Sequence, residues 1–162
     1  MKKTILWWGR SDPNYSRNRI IRKQLKNLNY EILDFYPLVS RFGYIEALLK
    51  NIKRTNFVWV PCFRQRDILS ASKWCLNKNI KLIIDPLISS WDKQTYEKEK
   101  ILNQKQSDAL KKKESFLFNK ADFVLADTNP HANLFQKKLG VDKNKIFTVY
   151  VGAEESLFNN LP

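Results

Sequence analysis

Thr4-Ile5-Leu6-Trp7-Trp8, followed at once by Gly9-Arg10, decides how the chain is read. Behind Met1-Lys2-Lys3 it imitates the start of a secretory leader. Its apolar run is too short for a leader's hydrophobic region, and the glycine and arginine interrupt it. Five apolar or β-prone residues stopped by a glycine read instead as a strand buried on both faces. No run in the 162 residues approaches the roughly 18 apolar residues of a membrane helix.

The same unit recurs along the chain. Apolar runs at 31–36, 57–60, 81–84, 123–126 and 146–151 read as five more strands, with Pro61 ending the third. Between them lie amphipathic stretches. Residues 17–27 place Ile20, Ile21, Leu25 and then Leu28 at helical spacing, with Ser16 as N-cap. Residues 42–53 place Ile45, Leu48, Leu49 and Ile52 on one face, and 68–77 form a third helix. A long basic helix is expected over 95–119. Asn129 and Pro130 open a last helix that Gly140 closes.

Alternating strands and helices imply a Rossmann-like α/β/α sandwich with a six-stranded, mainly parallel sheet. The expected strand order is 3-2-1-4-5-6, with its switch point between strands one and four. One domain over 1–162 accounts for the length.

The net charge of +13 points to an anionic partner or to a solvated basic surface. No zinc-finger, RNP or KH signature accompanies it, so nucleic acid is disfavoured. Cys62 and Cys75 lack ligand-spaced neighbours and read as buried thiols; neither a metal site nor a disulfide framework is indicated. These features fit a cytoplasmic protein.

Ligands of such sheets bind beyond the carboxyl ends of the strands. Three loops qualify, with 61–66 as a rim. The first carries Gly9, Arg10, Ser11 and Asp12, then Arg17 at the helix start. A tight turn, helix-start N–H groups and arginines suit a phosphate, although the loop is not the GxGxxG fingerprint. The second carries Asp85, Ser89, Trp91 and Asp92: carboxylates and hydroxyl for sugar hydroxyls and an indole for a sugar face, or else Asp85 capping a turn and Trp91 packing locally. The third is Asp127-Thr128. His131, the only histidine, reads as a surface residue of a helix's first turn. The lysines of 98–113 read as a solvated face.

Together these loops resemble the N-terminal domain of glycosyltransferase family 4 enzymes, which have the GT-B fold. Four stretches carry the resemblance: 5–10 with 17–21 and Leu25; 82–89 with Asp92 and Thr95; 121–128 with Phe135 and 139–141; and 146–154 with Phe158. The resemblance implies the acceptor-binding half of a retaining glycosyltransferase using a nucleotide-sugar co-substrate and no other cofactor. The donor would be held by a C-terminal domain absent from this sequence. Acceptors would be glycans, lipid-linked sugars or small molecules. Asp85, Ser89 and Asp92 would meet acceptor hydroxyls, with Asp85 the catalytic candidate. Gly9, Arg10 and Arg17 would line the cleft toward phosphate, and Asp127 and Thr128 would complete its wall. Helix ends and cations, rather than a metal, would stabilise the leaving diphosphate.

Two departures stand out. Asp85 occupies the place where many family members have histidine, and Gly9 is single where many have a glycine pair. A basic nucleic-acid module and a non-catalytic subunit of a split transferase are the alternatives. Residues 42–54 add a further expectation. They read either as a peripheral element for anionic bilayers at the inner membrane face or as a core-facing stripe with a basic rim.

Overall fold

The computed structural model describes residues 3–96 and 102–153. Six parallel strands form one sheet: β1 (Lys3–Trp8), β2 (Tyr30–Phe35), β3 (Phe57–Val60), β4 (Lys81–Leu87), β5 (Phe123–Ala126) and β6 (Ile146–Thr148). The helices are α1 (Ser16–Asn27), α2 (Gly43–Leu49), α3 (Ile68–Lys78), α4 (Ser90–Tyr96), α5 (Gln104–Phe118) and α6 (Asn129–Lys137). The Rossmann-like α/β class read from the sequence is the class observed.

The strand order is not the expected one. It is β2-β1-β3-β4-β5-β6, so the switch point lies between β1 and β3 rather than between β1 and β4. Burial explains the difference. Val58, Trp59 and Val60 are all buried, which requires an interior strand. β2 instead exposes Glu31 and Asp34, and charges on a strand suit an edge.

β1 sits at the centre of the packing because its two tryptophans leave the sheet on opposite sides. Trp8 meets Phe35 edge-on at 4.6 Å and Trp74 of α3 at 6.2 Å, in a core completed by α2, α5 and α6. Trp7 stacks on Trp59 at 5.7 Å on the other side, in a smaller core with Ile21 and Leu25 of α1. Arg22 of α1 lies over the Trp7 ring and forms a two-pronged pair with Asp34, at 2.6 and 2.8 Å.

Several helix details differ from expectation. Tyr15, not Ser16, occupies the N-cap of α1. Thr128, not Asn129, caps α6 through its hydroxyl, which accepts from the His131 N–H. The long basic helix is two helices among the described residues, and Glu97, Lys98, Glu99, Glu154 and Phe158 lie outside those residues. Most consequentially, α2 buries Gly43 and Ala47, while Ile45, Leu48 and Leu49 face solvent; only Ile52, beyond the helix, joins the core. The expected apolar stripe is therefore turned outward.

The start of α4 is held from another helix. Glu114 of α5 is buried and accepts from the Ser89 hydroxyl at 2.5 Å and from the Ser90 and Trp91 N–H groups at 2.9 and 3.1 Å. Glu114→Ala would leave those donors buried without an acceptor. We expect a loss of about 2–3 kcal/mol in urea unfolding, against about 1 kcal/mol for Ser89→Ala, which removes a cap hydroxyl.

Candidate functional site

Parallel strands bring all their C-terminal ends to one edge, and the candidate residues of β1, β4 and β5 gather there. Gly9 ends β1 with φ +124°, a backbone that side chains rarely adopt. A Cβ there would also lie 2.9 Å from Asp67 Oδ2 and 3.1 Å from Arg64 Nε. The glycine thus admits a buried ion pair, Arg64 with Asp67, against the strand end. Arg10 follows on the exposed side.

Arg17, in the first turn of α1, is almost wholly buried. A cation is unfavourable at a helix N-terminus, so its presence there demands a compensating anion. Asp85 of β4 supplies it: Arg17 Nε donates to both carboxylate oxygens, at 2.9 and 2.8 Å. Arg17 Nη1 also donates to the Val149 carbonyl at 2.8 Å. One side chain therefore ties α1, β4 and the segment after β6. Burial pushes the Asp85 carboxyl upward, Arg17 pulls it back, and the Asp127 charge adds to the rise. A neutral Asp85 would leave the buried guanidinium without its counter-ion.

The floor between β1 and β3 is polar. Asn18 Nδ2 donates to the Asp12 carbonyl at 2.8 Å, and its oxygen accepts from the Cys62 thiol at 3.1 Å. Tyr15 and Phe63 meet edge-on at 5.2 Å above it. Burial, then Cys62 and more weakly Asp127 and Asp85, raise the Tyr15 phenol, whereas Arg17 lowers it. Tyr15, Arg17, Cys62, Asp85 and Asp127 thus share one neighbourhood.

Asp127, at the end of β5, lies 2.5 Å from His131 Nδ1 across one turn of α6. A carboxylate on one ring nitrogen orients an imidazole and leaves the other nitrogen for proton transfer. Thr128 is used as the α6 cap beside it.

Other sequence candidates fall elsewhere. Ser89 is buried, donates to Glu114 and accepts from the Asp92 N–H at 3.1 Å, so it builds α4 rather than facing the cleft. Trp91 is buried under α5, with its indole N–H on Ser107 at 3.0 Å and Lys111 over its ring; it offers no face to a sugar. Asp92 is half-buried on α4. Glu114 and Asp67 were missed by sequence reasoning, and Tyr15, Asn18 and Arg64 lay in segments it singled out without being given a role. Glu114 did leave a signal, because a glutamate in phase with Leu110, Leu117 and Phe118 stands on an apolar face.

Beside the cleft, under the open side of α1, runs an apolar groove of about 350 Å³ lined by Ile20, Ile21, Leu25, Trp59, Leu125 and 149–152, with Arg17 at its polar end. Among the described residues no cluster of three or more His, Cys, Asp or Glu could hold a metal ion.

No family model matches this sequence, and no curated protein does. Solved structures do resemble the fold. Anabaena HepE in complex with UDP and glucose superposes with a TM-score of 0.62 at 10% identity, over 100% of this chain and 48% of that one. HepE with UDP-glucose gives 0.61 at 12% identity over 98% and 46%, and HepE with UDP gives 0.57 at 13% over 99% and 47%. The chain thus spans about half the length of the structures it matches, and the likeness at these identities is one of fold.

Two outcomes are expected. Arg17→Met should cost about 3–5 kcal/mol in urea unfolding, because Asp85 becomes a buried unpaired charge, and Arg17→Met with Asp85→Leu should recover most of that. Burial raises both thiols, Cys62 and Cys75, to about 12. Both are therefore protonated at pH 8, and a thiol-disulfide reagent should label neither until denaturant is added.

Proposed function

We propose that this chain is the acceptor-side lobe of a GT-B glycosyltransferase that takes its sugar from a nucleotide-sugar. The observation that supports it most is superposition of the whole chain on about half of HepE, a protein solved with UDP, UDP-glucose and glucose. The cleft at the C-terminal edge of the sheet adds chemistry that suits the role. A second domain would face that edge and hold the donor. The closer assignment, to the retaining enzymes of family 4 acting on a glycan, lipid-linked or small acceptor, rests on the sequence resemblance.

In this reading Asp127 and His131 form the proton-accepting pair for the acceptor hydroxyl. Asp85 is the buried anion that, with Arg17, sets the cleft wall. Arg10 and the N-terminal turn of α1 approach the donor diphosphate, where cations and oriented N–H groups stabilise developing charge. Asp92 lies at the rim.

The test is transfer of labelled sugar from a panel of nucleotide-sugars. The 162 residues alone are expected to transfer none, because they superpose on only about half of HepE. Supplied with a donor-binding domain, they are expected to transfer. Asp127→Ala should then lower kcat by about 10²–10⁴-fold, because the proton-accepting imidazole of His131 loses the carboxylate that orients it. Turnover by the isolated chain, or an unaffected Asp127→Ala enzyme, would refute the reading.

A further inference from the structure

Among the described residues, five other than glycine hold a positive φ. Asn29, Asn51 and Asn79 are asparagines, whose short polar side chain tolerates that backbone. Phe63, at φ +62°, and Leu87, at φ +63°, are bulky, and for such residues the left-handed region is strained. Leu87 ends β4 and Phe63 follows β3, so both stand on the edge of the sheet where the cleft lies. Leu87 is buried, and apolar burial offsets its strain. Phe63 is 47% exposed, between Cys62 and Arg64, which are both buried. Burial therefore does not account for the turn at Phe63.

Bonds on either side of the turn hold it in place. The Cys62 thiol donates to Asn18 of α1 at 3.1 Å. Arg64 donates through Nε to Asp67 and through Nη2 to the Ser40 hydroxyl at 3.3 Å. Gln65 Nε2 donates to the Ile88 carbonyl at 3.0 Å, which ties this loop to the one after β4. The Phe63 ring, left out of the core, meets Tyr15 with centroids 5.2 Å apart and planes at 69°. Tyr15 is 36% exposed, stands at the N-cap of α1, and lies within electrostatic reach of Arg17, Asp127 and Asp85. Two half-open aromatic rings thus stand at the mouth of the cleft, over the polar floor of Asn18 and Cys62.

We propose that Tyr15 and Phe63 form an aromatic platform for the ring of a pyranose sugar, the acceptor's terminal residue. A pyranose has C–H faces and hydroxyl edges. The faces suit aromatic rings, and the edges need donors and acceptors, which the polar residues of 11–16 and the Asp127 carboxylate supply. A wholly apolar ligand would cover those polar groups without pairing them, and a free anion would gain nothing from the two rings. The inference rests on the reading of this chain as an acceptor lobe, and it narrows the acceptor to one that presents a sugar ring. The strain at Phe63 is then the cost of holding an aromatic face where the core has no use for it.

Saturation-transfer NMR of the 162-residue chain with the methyl glycosides of glucose, galactose, mannose and N-acetylglucosamine tests this. We expect at least one glycoside to receive saturation at its ring C–H protons. Phe63→Gly should weaken its binding about tenfold, since one stacked ring is lost, and Phe63→Tyr should keep it. Thermal unfolding separates this role from a structural one. Glycine adopts a φ of +62° freely, so Phe63→Gly should unfold at or above the temperature of the parent. With a donor-binding domain supplied, Phe63→Gly should raise the acceptor KM about tenfold and leave kcat within about twofold. Silence from all four glycosides, binding that Phe63→Gly leaves unchanged, a Phe63→Gly chain that melts well below the parent, or saturation of UDP alone would overturn the proposal. Glycoside binding with no turnover by the paired domains would instead overturn the transferase reading and leave the platform standing.

Discussion

The guanidinium of Arg17 is buried where a cation is least welcome, in the first turn of a helix, and Asp85 is the anion that makes it tolerable. Much of the C-terminal edge is organised by this pair. It sets where α1 begins relative to β4, and through the Val149 carbonyl it draws in the segment after β6. Cleft walls that come from strands far apart in sequence are thereby fixed against one another. Asn18, one residue on, repeats the device with neutral partners, linking Asp12 to Cys62. The geometry of the cleft is a matter of polar groups that cannot be left unpaired in a dry interior.

Around this frame the helices are seated in two different ways. α3, α5 and α6 bury large side chains, such as Trp74, Phe118 and Phe135, in the main core. α2 approaches by glycine and alanine, with Tyr44 packed beside them, and turns Ile45, Leu48 and Leu49 outward. Close approach over Trp8 means that any side chain at position 43 would meet Pro37, Ser70 and Trp8 at 3.1–3.2 Å. The outward stripe on α2 is thus the other side of a packing requirement, and it lies next to the β1 end of the candidate cleft.

Strand existence, parallel class and the loops bearing the candidate site were legible because each depends on local information. A run such as Phe57-Val58-Trp59-Val60 has to be buried whatever surrounds it, and the C-terminal ends of parallel strands share one edge by geometry alone. Gly9, Arg17, Asp85 and Asp127 could be singled out on that basis. The roles of Ser89 and Trp91 could not, because their partners Glu114 and Ser107 lie on a helix distant in sequence. Without them, a hydroxyl and an indole in a loop look like ligands for a sugar.

The amino-acid sequence by itself determined the alternation of buried strands and helices, the basic charge, and the polar composition of the loops, since these follow from hydrophobic runs and residue chemistry read a few positions at a time. Only the tertiary structure decided the order of the strands, which face of α2 meets water, and the joining of Arg17 to Asp85 and of Asp127 to His131. Periodicity states that a helix has two faces and not which one is buried. That depends on how near the sheet the backbone must pass, a distance set by residues as remote as Trp8 and Gly43.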